Sequence, residues 1–188
     1  SLHDALPILF LTSSFGTSDK GKVRETNEDY LCFYDDGMGS LPNLYAISDG
    51  MGGHKAGQVA SKLSLISFAD YIAKNNIKNQ NEILDFLVDA IKFANKTVYE
   101  KSLSDDHYEG MGATFSACTV FENKLYAVHV GDSRIYLINK FGINQLTTDH
   151  TYINEMIKAG KITKSQAKNH PQKNIITRAV GISENISY

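Results

Sequence analysis

Two stretches of helical apolar periodicity, set between runs of strand-forming residues, constrain the fold of this chain more than any other feature of its sequence. Ala56, Val59, Ala60, Leu63 and Ile66 recur at the three- and four-residue spacing of one helix face. Ile83, Phe86, Leu87, Ala90, Ile91, Ala94 and Val98 repeat that spacing more strongly. A polar connection over residues 75–81 joins the two predicted helices. Before them, residues 10–18, 30–34 and 44–47 read as strands. After them, residues 113–121, 124–130 and 134–138 read as an antiparallel meander, broken at Glu122-Asn123 and at Gly131-Asp132-Ser133. Residues 151–159 and 164–167 predict short helices interrupted by Gly160, and residues 175–180 return to strand-like composition. Strands, then helices, then strands is the order of an α+β layered domain, and 188 residues suit a single core.

The formal net charge of −2 gives no bulk electrostatic case for nucleic acid or an anionic membrane, so any phosphate recognition is expected to be local. Cys32 and Cys118 are far apart and lack the spacing of a zinc site or a disulfide framework, which fits buried thiols in a reducing cytoplasm. The apolar stretch over residues 5–11 is too short to span a bilayer and lacks the basic flank of a signal peptide. The expectation is therefore a cytoplasmic protein without a membrane partner.

Three acidic sites fall where strands meet loops: Asn27-Glu28-Asp29, Ser48-Asp49-Gly50 and Gly131-Asp132-Ser133. Carboxylates gathered at strand ends offer the oxygen donors that magnesium or manganese prefers, although a single Asp in such a place is ordinary turn chemistry. The run Asp49-Gly50-Met51-Gly52-Gly53-His54 lets backbone come close to a ligand and delivers a histidine beside it. Its spacing fits neither GxGxxG nor a P-loop, which sets a nucleotide-binding reading aside. Arg24, four residues before Glu28, is either a solvated surface charge or a bidentate clamp for a phosphoryl group.

The full set of motifs resembles the metal-dependent protein phosphatases, the type 2C serine/threonine family, in their bacterial form. It consists, in order, of Gly21-x-Val23-Arg24-x-x-Asn27-Glu28-Asp29, Ser48-Asp49-Gly50-Met51-Gly52-Gly53-His54-x-Ala56-Gly57-x-x-Ala60-Ser61, Met111-Gly112-Ala113-Thr114, Val130-Gly131-Asp132-Ser133-Arg134-Ile135-Tyr136, Leu146-Thr147-x-Asp149-His150 and Ile176-Thr177-Arg178-Ala179-x-Gly181. The resemblance implies a four-layer αββα sandwich of two antiparallel sheets flanked by helices, with a two-metal centre at one edge. By the same resemblance Asp49 bridges two magnesium or manganese ions, the Gly50 carbonyl binds one of them, and Glu28 contacts a metal directly or through water. Asp132 matches the ligand of a weaker third metal, and Arg24 matches the group that holds the substrate phosphate. Residues 151–170 fall where the family carries a mobile flap.

The implied reaction is hydrolysis of phosphoserine and phosphothreonine in proteins by a metal-activated water, without a covalent phosphoenzyme. The implied partners are phosphorylated proteins and a cognate serine/threonine kinase. A catalytically inactive phosphatase-like regulatory or binding module is the alternative. Animal members carry a histidine directly after the metal-binding glycine, where this chain has Met51. His54 is the nearest substitute, either as the acid that protonates the leaving group or as a hydrogen-bond partner of the loop backbone. Residues 1–11 match nothing in the family and read as extraneous. Residues 12–188 read as one catalytic domain, incomplete at its C-terminus, where two further metal-binding aspartates and the final strands are expected beyond Tyr188.

Overall fold

The computed structural model describes residues 12–53 and 55–188. The extraneous segment expected at residues 1–11 lies outside the described residues, as does the start of the strand expected over residues 10–18.

The larger sheet is built around β2 (Leu44–Met51), whose residues alternate between its two faces. Leu44, Ala46, Ser48 and Gly50 are buried on the helix side, while Tyr45, Ile47 and Asp49 point to the other. β1 (Asp29–Tyr34) pairs antiparallel with one edge of β2. On the other edge lie β3 (Gly112–Ala113), level with Gly50 and Met51, and β4 (Phe115–Phe121), level with residues 45–47. β5 (Lys124–Val130) pairs with β4, giving the order β1-β2-β4-β5. Glu122 and Asn123 both have positive φ (46° and 62°), the conformation of a two-residue turn whose twist matches that of the strands it joins.

α1 (Ala56–Lys74) and α2 (Ile83–Ser102) cover one face of this sheet. α2 contributes the apolar stripe that its spacing predicts, but the inner face of α1 is turned from the predicted one: Ala56 and Ala60 are buried with Leu65, Phe68 and Ile72, which carry the packing, while Val59 and Leu63 are half-buried and Ile66 is exposed. Phe68, Ile72, Leu87, Ile91 and Val98 are fully buried, and the Phe68 and Phe115 rings stand 4.9 Å apart where α1 meets β4. A second antiparallel sheet is formed by β6 (Tyr136–Asn139) and β7 (Gly142–Gln145). α3 (Tyr152–Lys158), capped by the Thr151 hydroxyl, and α4 (Lys164–Ala167), closed by a capping box between Thr163 and Gln166, follow it. Helices with two antiparallel sheets make the expected α+β architecture. Among the described residues no helix is long and apolar enough to cross a membrane.

Besides the face of α1, four sequence expectations differ from the structure. Residues 12–18 form no strand. They run beside β1, where the Ser14 N–H and hydroxyl both donate to the Asp35 carboxylate (3.1 and 3.0 Å) instead of joining a ladder. β2 does not end at Ile47 but continues through Asp49 and Gly50, because Asp29 and Ala113 are there to pair with them. The meander stops at β5. Gly131 (φ +105°) turns the chain away, Ser133 and Arg134 take side-chain partners, and β6 pairs forward with β7. Residues 175–180 form only single bridges, Ile176 to Thr151 and Val180 to Ala113.

Candidate active site

The sheet register places Asp29 directly opposite Asp49, and strand alternation aims both carboxylates away from the helices. A proton on either carboxylate lets them share a hydrogen bond. Burial, then the charge and the hydrogen bond of Asp29, push the Asp49 pKa from 3.8 up to about 6; Arg24 pulls it down, and Asp132 pushes it further up. Strands β1 and β2 therefore set Asp29 against Asp49, and the loop before β1 and the turn after β5 bring Arg24 and Asp132 within electrostatic reach of Asp49. Beside it opens a cleft of about 230 Å3, walled by Thr17, Ser18, Asp29, Tyr30, Asp49 and Ser133 among others. That is room for several waters or for hydrated ions with a phosphoryl group.

The backbone beneath Asp49 is fixed by a chain of hydroxyls. The Asp49 N–H donates to the Thr114 hydroxyl oxygen (3.0 Å), which lies 2.7 Å from the Ser133 hydroxyl. The Thr114 N–H donates to the Asp49 carbonyl (2.8 Å). The Thr114 carbonyl, freed from the ladder, accepts from the buried Ser48 hydroxyl (2.7 Å). Thr114 thus links the Asp49 strand to the turn carrying Asp132 and Ser133.

Gly50 and Gly57 allow the first turn of α1 to lie on β2. A Cβ on Gly50 would stand 2.0 Å from the Gly57 carbonyl oxygen, which no side chain can do. The Gly50 N–H donates to the Glu28 carbonyl (3.1 Å), and the Ser61 hydroxyl donates to the same oxygen (2.5 Å). The Glu28 carboxylate lies against Gly57 in the first turn of α1, where the helix dipole favours a negative charge.

Of the residues singled out in the sequence, Asp132 and Arg24 both act electrostatically on Asp49. Gly50 sits beside Asp49 within β2, and Glu28 lies next to Asp29 but on the helix side, apart from the charges that act on Asp49. His54 lies outside the described residues. Asp29 and Thr114 are additions. Both occur in the quoted motifs, but only the register of β1 and the break between β3 and β4 show what they touch. Among the described residues no three carboxylate, imidazole or thiol groups stand close enough to hold a metal ion together. The donor set nevertheless suits a hard cation. All the groups are oxygens, and burial, with the Asp29 and Asp132 carboxylates, holds Asp49 at a raised pKa that a divalent ion would relieve.

Comparison with known proteins places this geometry among relatives. The family described as protein phosphatase 2C matches residues 13–156. The chain is 35% identical over 169 residues to protein phosphatase PhpP of Streptococcus pneumoniae, covering 90% of this chain and 68% of that one. It superposes on the crystal structure of serine/threonine phosphatase Stp1 from Staphylococcus aureus with a TM-score of 0.82 and 36% identity, over 91% of this chain and 66% of Stp1. The catalytic domain of the phosphatase PstP, solved in complex with 2 manganese ions, matches with a TM-score of 0.73 and 32% identity, over 90% of this chain and 67% of PstP. The chain spans about two thirds of the length of these relatives.

Proposed function

We propose, from the premise that this chain belongs to the protein phosphatase 2C family, that the intact protein hydrolyses phosphoserine and phosphothreonine in other proteins with divalent cations as cofactors. The observation that carries the reading is the opposition of Asp29 and Asp49 at one cleft, with Asp132 and the counter-charge of Arg24 within electrostatic reach of Asp49. The Asp49 carboxylate and the Gly50 carbonyl would hold a pair of magnesium or manganese ions, Glu28 would contribute at one side, and Asp132 would hold a further, weaker ion. When bound, such cations supply the Lewis acidity that makes water a nucleophile near neutral pH.

The remaining steps belong to the chain's own side chains. Arg24, exposed and within electrostatic reach of Asp49, would bind two phosphoryl oxygens and neutralise their charge. Asp29 would orient water through the hydrogen-bonding capacity it now spends on Asp49. His54, next to this loop in sequence, would protonate the seryl or threonyl oxygen as it leaves. Replacing His54 with alanine is then expected to depress turnover of an alkyl phosphate more than that of an activated aryl phosphate, which needs no proton. Equal losses on both would assign His54 to the loop backbone.

The chain spans about two thirds of its relatives' length, and in this reading carboxylates from the remaining third would complete the metal centre. The expected outcome is that these 188 residues alone release little phosphate, while a chain of the relatives' length is active. The reading is tested by phosphate release from phosphoserine, phosphothreonine and phosphotyrosine peptides, with manganese and with EDTA. Release from the first two alone, abolished by EDTA, is expected. An intact chain that binds these peptides but releases nothing would be a regulatory or binding module instead.

A further inference from the structure

The turn Gly131-Asp132-Ser133 is held by two consecutive residues, Asp149 and His150, that the proposed chemistry does not use. The His150 N–H donates to the Gly131 carbonyl (2.7 Å), and the Gly131 N–H donates to His150 Nδ1 (3.1 Å), so one residue takes both backbone groups of Gly131. At the other end of the turn, Arg134 Nε donates to the Asp149 carboxylate (2.9 Å), and its Nη2 makes a second bond there. His150 is fixed in turn. Its ring stacks on that of His129 at 5.1 Å, and its carbonyl accepts from the Thr177 N–H (2.9 Å). Gly131 has no latitude: a Cβ there would meet the Thr114 methyl at 2.7 Å.

An Nδ1 that accepts from an amide carries no proton, so the ring is neutral with its proton on Nε2. Burial first, then Arg178, His129 and Lys158, hold the His150 pKa down at about 4, against a smaller opposing effect of Glu155, which keeps this acceptor available throughout the neutral range. Asp132 stands one residue beyond the clamped Gly131, and Ser133 hydrogen-bonds the Thr114 hydroxyl beneath Asp49. Any slack in the clamp is transmitted to both carboxylates.

We propose that His150, seconded by Asp149, is a positioning residue that fixes the Gly131–Ser133 turn and so sets where the Asp132 carboxylate stands relative to Asp49. The proposal rests on the reading of Asp132 as a cation ligand. Residues that orient metal ligands typically change metal affinity by about 10–100-fold when lost.

The test uses the intact protein with His150→Leu, which cannot accept a hydrogen bond, and His150→Asn, whose Oδ1 occupies the place of Nδ1. Amide exchange at Gly131 and manganese binding, followed by the paramagnetic resonance of the free ion, are read in each. His150→Leu is expected to speed Gly131 exchange and weaken manganese binding about tenfold at the weakest site, with His150→Asn restoring most of both. Unchanged Gly131 exchange in His150→Leu, or faster exchange with unchanged manganese binding, overturns the proposal. So does a folded His150→Asn as impaired as His150→Leu. Asp132→Asn is measured alongside: if it leaves manganese binding untouched, the reading of Asp132 has failed, and the role of His150 falls with it. Should His150→Leu not fold, nitrogen NMR of the wild-type ring decides, an Nε2–H tautomer supporting the clamp and an Nδ1–H tautomer overturning it.

Discussion

Replacing Asp49 with asparagine is expected to lower manganese-dependent phosphate release by the intact protein about a thousandfold, equivalent to roughly 4 kcal/mol of transition-state stabilisation. The same change is expected to stabilise the metal-free chain near neutral pH. The sign follows from the pKa of Asp49, raised from 3.8 to about 6 when the chain folds. A carboxyl that holds its proton more tightly in the folded state opposes folding when ionised. The opposition is complete above about pH 6, fades as the pH falls, and is gone below the unfolded value near 4. A shift of this size would correspond to about 3 kcal/mol if fully expressed, and solvent screening of this half-buried group reduces it to roughly 1 kcal/mol. Urea denaturation in EDTA checks this. Wild type should gain on Asp49→Asn as the pH is lowered from about 7.5 to 5, and an equal difference at both values would contradict the assignment.

Gly50→Ala is expected to cost about 4 kcal/mol or to prevent folding. The obstacle is space, not backbone conformation, since Gly50 is an ordinary strand residue. Its new methyl would stand 2.0 Å from the Gly57 carbonyl oxygen, 2.4 Å from the carbonyl carbon and 3.0 Å from the Glu28 carbonyl oxygen, all of them backbone atoms that cannot swing aside. Gly57→Ala should be milder, because its nearest neighbour, at 2.9 Å, is the movable Glu28 carboxylate, and the one backbone atom among its nearest three, the Gly50 carbonyl carbon, lies at 3.0 Å and not at 2.0–2.4 Å. Gly53→Ala should cost about 1 kcal/mol, for its φ of +72° alone, since nothing lies within 4 Å. Urea midpoints of the three variants give the order directly. A Gly50→Ala chain no less stable than Gly53→Ala would show that α1 does not press on β2 at this point.

The elements defined by their own periodicity were legible in the sequence. The two helices, β1, the β4–β5 hairpin and the capped pair α3 and α4 all appear where apolar spacing or turn residues put them. What was not legible depends on a distant partner. Residues 12–18 and 175–180 have strand composition but no ladder, because a strand also needs an edge to pair with. Conversely, Asp49 and Gly50 have loop composition but lie in a strand, because Asp29 and Ala113 pair with them. The site follows the same division. Asp49, Asp132 and Arg24 stand out as motif residues, whereas the opposition of Asp29 to Asp49, the Thr114 link and the approach of Gly50 to Gly57 come from register and packing between elements.

Asp49 is the centre of the proposed cation site. Its most direct test is a manganese titration of the intact protein and of Asp49→Asn, with free ion followed by its paramagnetic resonance and folding of the variant confirmed first. Tight binding by the wild type and loss of the tight sites in Asp49→Asn is the predicted result. A folded Asp49→Asn that binds manganese as tightly and in the same amount as the wild type would contradict it.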